Sequence, residues 1–364
     1  MRQFKRILPF VLILMAVFGV LHYLIYLTIV RTLPDPQIQN VLTLIFWFGW
    51  FSIPCGLFAS RNPNPAIRNF SWVGFTWMGI FFILFSLSLV ELVLALIFNH
   101  SHSEWVLYAS VPLVLWSLVQ GLKLPQVVEH ELKAHRLAGK TMVQLSDLHI
   151  GLLHLNRNWL LKVLAKVKAL NPDILVITGD MVEGDIAHIS EDVDAFSEVK
   201  DIPHKFFITG NHEYIHGGTI WEQKMRDLGF RVLHNSNEII EFGNAKLLMA
   251  GVPDRMVTRF QADTFSQPDL ALKTAAHTDY KILLAHQPIS AKDLKTQTCD
   301  LVLSGHTHGG QIFPFHFLVR LSQPVVAGFK MINNVMVFAH RGTGFWGPPM
   351  RLLSSSEVVI FKWK

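Results

Sequence analysis

The hydrophobic positions of this chain change texture near residue 122. Before that point they run together: residues 7–30, 38–59, 70–98 and 105–122 are almost wholly apolar, and about 20 such residues cross a bilayer as a helix. Pro54 and Pro112 fall inside two of the runs, which membrane helices tolerate because neighbouring groups satisfy the freed carbonyls. After residue 122 the apolar runs shorten to strand length and are separated by Gly, Asp and Asn. The pattern predicts a transmembrane domain of four helices over residues 1–122 and a second domain over 123–364.

Within the second domain, residues 141–145, 174–178, 205–209, 281–285 and 301–304 read as buried strands, each followed by a polar loop. Asn156 is placed to cap a helix with Leu160, Val163, Leu164 and Val167 on one face, ending at Asn171-Pro172. The acidic stretch 183–200 reads as helical in its second half, and Thr219 with Glu222 reads as a capping box for a helix that Gly229 stops. Residues 238–242 and 246–250 flank Gly243-Asn244-Ala245 as a hairpin, and 335–339 and 357–361 read as closing strands. Residues 126–137 fit a strand or a short helix. Strand, polar loop and covering element recur without a sequence repeat, which is the plan of an α/β sandwich.

Composition supports the division. Hydrophobic residues make up 51% of the 364 and charged residues only 16%, too oily for a water-soluble chain of this length. The net charge of +5 has no cluster of basic and aromatic residues behind it, so no nucleic acid is expected as a partner. Its distribution instead orients the membrane part. Arg2, Lys5, Arg6, Arg61, Arg68, Lys123, Lys133, Arg136 and Lys140 fall on one side of the four runs and only Arg31 on the other. The excess of basic residues predicts a cytoplasmic N-terminus and a cytoplasmic second domain at the cell (inner) membrane. The first run is expected to be a span rather than a signal peptide, being too long and lacking a small-residue cleavage site. Two cysteines, Cys55 and Cys299, supply neither a disulfide framework nor a thiolate metal site.

The chemistry lies at the strand ends. Ser146-Asp147-Leu148-His149, Gly179-Asp180, Gly210-Asn211-His212-Glu213, Ala285-His286 and Gly305-His306-Thr307-His308-Gly309-Gly310-Gln311 each follow a predicted strand, so the fold carries them to one rim. Asp147, Asp180, Asn211, His149, His286, His306 and His308 offer oxygen and imidazole donors without thiolate, a set that suits Zn, Fe or Mn. Seven donors exceed what one structural zinc takes and suit two ions sharing a carboxylate. A single strand-end Asp or His more often caps a turn or packs in a core; the ordered set of types is what carries the reading.

These motifs, with the late Arg341-Gly342-Thr343-Gly344, resemble those of the calcineurin-like metallophosphoesterase superfamily, in particular its bacterial membrane-associated branch of which YkuE and YaeI are typical. The resemblance covers residues from about 124 to 364 and none of the four apolar runs. It implies a four-layered α/β sandwich with two central mixed sheets. It also implies two divalent ions, manganese favoured: one held by Asp147, His149, Asp180 and His308, the other by Asp180, Asn211, His286 and His306. Asp180 bridges them, a metal-bridging hydroxide attacks phosphorus, and His212 is the catalytic histidine beside the leaving oxygen.

Other features have two readings. Arg341 either holds a substrate phosphate or pairs with an acidic residue, and Glu91 is either a functional carboxylate within the third run or an interfacial one. The apolar segment from Ile312 to Val319 is either a lid packed on the sandwich or a ridge that dips into the bilayer, with Phe345-Trp346 nearby. His154, His188, His216 and His316 are expected at the surface or behind the donors. The expected activity is hydrolysis of a phosphodiester or diphosphate bond at the membrane, of a lipid or lipid-linked substrate. The alternatives are a phosphodiesterase of soluble nucleotides or small esters, and a non-catalytic metal-binding scaffold or sensor.

Overall fold

The computed structural model describes residues 15–60, 62, 64–99, 103–261, 263–274, 276–296 and 298–364. Residues 7–14 of the first predicted span lie outside the described residues, as do Arg2, Lys5, Arg6 and Arg61 of the charge argument. The chain forms two compact units: residues up to Leu122 with Gly347–Leu352, and Lys123–Trp346 with Leu353–Lys364. Six late residues thus leave the second unit to join the first, a departure that their hydrophobic pattern does not predict.

The first unit is helical. An apolar helix α1 (Met15–Val30) ends in a π-helical turn over Tyr26–Val30. Helix α2 (Pro36–Ala59) starts where the Asp35 side chain accepts the Gln37 N–H, and α3 (Ser71–Phe98) and α4 (Glu104–Leu122) follow. Among the described residues, three helices, over Pro36–Ala59, Ala66–Phe98 and Glu104–Leu122, are long and apolar enough to cross a membrane. Helices α2 and α3 meet at Gly56 and Gly74, where a Cβ on Gly74 would stand 2.4 Å from the Ser52 carbonyl. Small residues allow such backbone approach, which drives helix association in lipid. Glu91 is buried in this unit and accepts a 2.5 Å hydrogen bond from the Trp105 indole. Gly347–Leu352 packs here against α3 and α4: a Cβ on Gly79 would strike the Met350 sulfur, and the Arg351 N–H donates to the Ser117 carbonyl at 2.9 Å.

The second unit holds two six-stranded mixed sheets. The first contains β1 (Gln126–Leu132), β2 (Thr141–Leu145), β3 (Ile174–Thr178), β4 (His204–Ile208), β5 (Arg231–Val232) and the last strand, β12 (Glu357–Trp363), in the order β1-β12-β2-β3-β4-β5. The second contains β6 (Ser236–Phe242), β7 (Ala245–Gly251), β8 (Tyr280–Leu284), β9 (Leu301–Ser304), β10 (Gly328–Ile332) and β11 (Val335–Ala339), in the order β10-β11-β9-β8-β7-β6. Alternate residues of both, among them Met142, Val176, Phe206, Leu247, Ile282, Leu303 and Phe361, pack into one buried core. Residues 126–132 are a strand because they pair in parallel with β12 along seven residues, which resolves the ambiguity of their sequence.

Helix α5 (Arg157–Leu170) is capped by Asn156 and buries Leu160, Val163, Leu164 and Val167, as its spacing predicts. Helices α6 (Ile186–Val193), α7 (Asn211–Ile215) and α8 (Thr219–Asp227) complete the first half. The expected Thr219 capping box does not form. Gly218 is the N-cap, and Glu222 turns instead to Arg226 and His234 at 3.3 and 3.2 Å.

Candidate metal centre

The loops after β2, β3, β4, β8 and β9 carry the donors. Asp147 (φ 54°), His149 (47°), Asp180 (49°), His306 (68°) and His308 (48°) all have left-handed backbone, a conformation that costs a non-glycine residue about 1–3 kcal/mol and persists only where surroundings enforce it. The enforcement is a lattice of backbone bonds between loops: Asp147 N to Gly179 O (3.0 Å), His149 N to Asp180 O (3.1 Å) and Gly305 N to His286 O (2.9 Å). The Arg341-Gly342-Thr343-Gly344 loop adds Thr343 N to Ser146 O (2.7 Å) and Gly344 N to Asp147 O (2.9 Å). Two glycines are required by close approach: a Cβ on Gly305 would lie 1.9 Å from Ser146 Oγ, and one on Gly210 2.2 Å from Asp180 Oδ1.

Three donor groups result, each with atoms within 4.8 Å of one another: Asp147, His149 and His308; Asp180, His286 and His306; and His149, Glu183 and His212. In the first, His149 Nε2 and His308 Nε2 face each other at 3.2 Å, and His308 Nε2 is 3.3 Å from Asp147 Oδ1. In the second, His286 Nε2 is 3.1 Å from Asp180 Oδ2, while the His286 and His306 ring centres are 5.1 Å apart. Asn211 Oδ1 is buried without a hydrogen-bond partner, an arrangement that costs about 1–3 kcal/mol unless something else satisfies it.

The tautomers agree with cation binding. His286 Nδ1 lies 2.7 Å from the Thr178 carbonyl, which can only accept, so Nδ1 carries the proton and Nε2 turns its lone pair toward Asp180 whenever the ring is neutral. His149 Nδ1 lies 3.1 Å from Glu183 Oε2, with the same consequence for its Nε2. Converging lone pairs, buried carboxylates and an orphaned amide oxygen fit divalent cations.

Two residues that the sequence did not single out hold the site together. Glu213 is fully buried and accepts from the backbone N–H groups of Asp180 (2.9 Å), Met181 (2.7 Å), Val182 (3.2 Å) and Gly210 (2.5 Å), tying the Asp180 loop to α7. Its position three residues after the N-cap Gly210, whose N–H it accepts, is the half of a capping box that a glycine N-cap allows, and that spacing could have revealed it. Glu183 Oε2 stands 2.7 Å from His212 Nδ1, and its Oε1 3.5 Å from His216 Nε2. Nothing in the sequence separates Glu183 from other acidic loop residues.

The charges sort these groups. Burial pushes His212 down, but the carboxylates of Asp180 and Glu183 override it and raise its pKa to about 9. Burial and the neighbouring Asp180 push Glu213 up to about 7. Burial raises Glu183 too, yet His212 and His149 outweigh it and hold the carboxyl well below its ordinary value. With no cation bound, burial opposes a charge on His286 but Asp180 raises it well above its ordinary value, and burial together with the charge His286 then carries lowers His306 to about 4; a cation in the site would take the place of the His286 proton.

The remaining sequence-predicted residues fall as follows. His212 lies in the Asp180 loop's reach, its backbone N–H donating to Asp180 Oδ1 at 2.9 Å and its ring centre 6.2 Å from that of Trp346. Arg341 Nη1 pairs with the buried Glu357 at 3.6 Å, the acidic pairing of its two readings. His216 stands behind His212, His188 is exposed, His154 packs beside Phe345 and His316 stacks on Phe313. The apolar segment after the metal loop is not a packed lid: Ile312 is buried, but Phe313, Phe315, Phe317 and Leu318 are exposed.

An α/β unit that gathers buried carboxylates and imidazole nitrogens at its strand ends, with a cationic histidine beside them, has the makings of a metal-dependent hydrolase. Comparison with known proteins agrees. A family model described as calcineurin-like phosphoesterase matches residues 140–310. An uncharacterized metallophosphoesterase of Campylobacter jejuni is 34% identical over 279 residues, 75% of this chain and 71% of its own. A transmembrane protein with metallophosphoesterase domain from Danio rerio is 32% identical over 68% of this chain, and the match spans 59% of that relative's length. The uncharacterized metallophosphoesterase YkuE of Bacillus subtilis is 27% identical over 66% of this chain and 85% of its own.

The chain belongs to the calcineurin-like metallophosphoesterases. It is a metallophosphoesterase hydrolase, and its apolar helices associate it with a membrane.

Proposed function

We propose that this protein is a two-metal phosphoesterase anchored in the cell membrane by four spans, with its catalytic unit on the cytoplasmic side, hydrolysing a phosphodiester or diphosphate bond of a lipid or lipid-linked substrate. Asp147, His149, Asp180 and His308 would hold one divalent ion and Asp180, Asn211, His286 and His306 the other, with manganese favoured. When bound, such ions supply Lewis-acid stabilisation of phosphoryl charge and make water a nucleophile at neutral pH.

The chain's own residues do the rest. Thr178 and Glu183 orient the rings of His286 and His149, and Glu213 fixes the loop that carries Asp180. Glu183 holds the proton on His212 Nδ1, which leaves Nε2 to donate to the leaving oxygen as the ester bond breaks. The observation that carries the reading is this imidazole at the edge of the donor set, with its Nδ1 2.7 Å from the Glu183 carboxylate and its backbone N–H donating to Asp180 Oδ1. A protein that only bound or sensed metal would gain nothing from it. The lipid preference is supported by the apolar helices on the same chain.

The test is manganese-dependent hydrolysis of bis(p-nitrophenyl) phosphate by the full chain and by His212→Ala. Loss of about 10²- to 10⁴-fold in turnover, the usual worth of a general acid, is expected with metal content retained; undiminished turnover would remove His212 from the chemistry. Lipid extracts of cells making the active chain or its Asp180→Ala form address the substrate. A phosphorylated lipid accumulating only with Asp180→Ala is expected, and identical extracts would turn the reading to soluble nucleotides or small esters.

A further inference from the structure

The metal loop does not end in a packed element. After Gln311 the chain turns outward and forms helix α9 (His316–Ser322), none of whose residues is buried. Phe317 is 55% and Leu321 84% exposed, and Phe313, Phe315 and Leu318 are exposed beside them. These side chains form one surface: the Phe313 ring lies 5.1 Å from that of His316 and 6.1 Å from that of Phe317. The Arg320 guanidinium sits 6.0 Å from the centre of the Phe317 ring. A short helix that shows water this much Phe and Leu leaves unburied the apolar surface whose removal from water chiefly drives folding.

The surface starts at the metal centre. Gln311 exchanges hydrogen bonds with the Trp346 backbone, Nε2 to O at 2.9 Å and Oε1 from N at 3.0 Å. The Trp346 indole is half exposed and stands beside His212. Immediately after Trp346 the chain contributes Gly347–Leu352 to the apolar helical unit, and it returns at Leu353, which is 80% exposed. Exposed large apolar side chains therefore flank the very segment that the chain gives to its membrane helices.

We propose that Phe313, Phe315, Phe317, Leu318 and Leu321, with Trp346, form a ridge that seats in the lipid–water interface of the bilayer and opens the metal centre toward it. The chemistry fits that occupant. Aromatic rings and leucines enter the acyl boundary, Trp prefers the interface itself, and an arginine lying along an aromatic ring reaches the phosphate level. A second protein would find an apolar ridge equally attractive, but Trp346 is followed without interruption by the segment that the chain gives to its apolar helical unit, which favours lipid as the occupant. The inference rests on the membrane association of the chain and stands whichever phosphoester the centre hydrolyses.

The test uses the full chain in lipid nanodiscs. In a background of Cys55→Ala and Cys299→Ala, Phe317→Cys and Leu321→Cys are labelled with an environment-sensitive fluorophore, with Leu115→Cys, exposed near the middle of α4, as the lipid control and Glu241→Cys in β6 as the aqueous one. Lipids carrying a nitroxide near the headgroup are expected to quench positions 317 and 321 strongly and position 241 little, while deep nitroxides quench position 115 best. Retained hydrolysis of a soluble diester shows that the labelled chains are folded. Emission at 317 and 321 that matches position 241 and ignores the nitroxide overturns the proposal. So does a blue-shifted emission that nitroxide lipids fail to quench, because protein, a second copy included, would then cover the ridge.

Discussion

Replacing Glu183 by Gln isolates the control of His212. The carboxylate lies 2.7 Å from His212 Nδ1, and together with Asp180 it raises the imidazole to about 9 against burial. An ion pair of this kind contributes about 1.5–3 kcal/mol, and one pKa unit corresponds to about 1.4 kcal/mol, so the neutral amide should lower His212 by about 1–2 units. The sign follows from the role. A general acid works while protonated, so turnover falls as pH rises through its pKa, and losing Glu183 moves that alkaline limb to lower pH. Divalent cations beside Asp180 oppose the carboxylates and lower the absolute position of the limb, which makes the difference between wild type and variant the quantity to measure. The assay is kcat against pH for a soluble chromogenic diester, with metal content determined in parallel and Glu183→Asp as the variant that restores charge. An unmoved limb with metals intact would refute the control of His212 by Glu183. Loss of metal would instead show that Glu183 secures the donor set, through its bond to His149 Nδ1 or as a ligand with His149 and His212, whose donor atoms also cluster within 4.8 Å of one another.

Asp180→Ala is expected to lose metal as well as turnover, measured by elemental analysis of the purified chain; full metal content would end its assignment as the shared ligand. Gly210→Ala drives a methyl group to 2.2 Å from Asp180 Oδ1 and 2.4 Å from its backbone N, and the backbone contact cannot yield. Overpacking of this kind costs about 1–3 kcal/mol, so a lowered melting temperature with weakened metal binding is expected, and an unchanged melt would show that the loops part easily. Phe315→Ser with Phe317→Ser should spare turnover of a soluble aryl phosphodiester and reduce that of a bilayer-embedded phosphodiester about tenfold; equal loss on both would restore the lid reading.

The donor set was legible because its residues are local signals repeated at strand ends. Each Asp or His follows a run such as Ile174–Thr178, whose five residues are all buried, and the glycines beside them mark the turns. What tied the loops together was not legible. Glu183 sits three residues past Asp180 in an acidic stretch, and its meaning appears only when α7 brings His212 to it from about thirty residues downstream. The Thr219 capping box failed for a related reason: Gly218 supplies the cap, and the Glu222 carboxylate turns to Arg226 on its own helix and to His234 Nδ1. The hairpin of β10 and β11 was overlooked although Asn333 and Asn334 both adopt the left-handed backbone that two-residue turns favour. Gly347–Leu352 could not have been assigned to the helical unit from its composition, because small residues far upstream, Gly79 and Gly121, make room for it.

Five of the seven donors stand in left-handed backbone. At about 1–3 kcal/mol apiece, with Asp and His toward the low end because they tolerate this region best, the sum rivals the roughly 5–15 kcal/mol that holds a whole domain folded. No single contact offsets it. The offset is distributed over the backbone bonds among the loops, the four N–H groups gathered by Glu213 and the core shared by the two sheets. The backbone that carries the donors is thus fixed by the sheet ends and by the bonds between neighbouring loops. The same rigidity explains why the chain turns outward at Gln311: with every loop on the rim committed to its neighbours, the apolar residues that follow have no place left in the sandwich and remain at the surface.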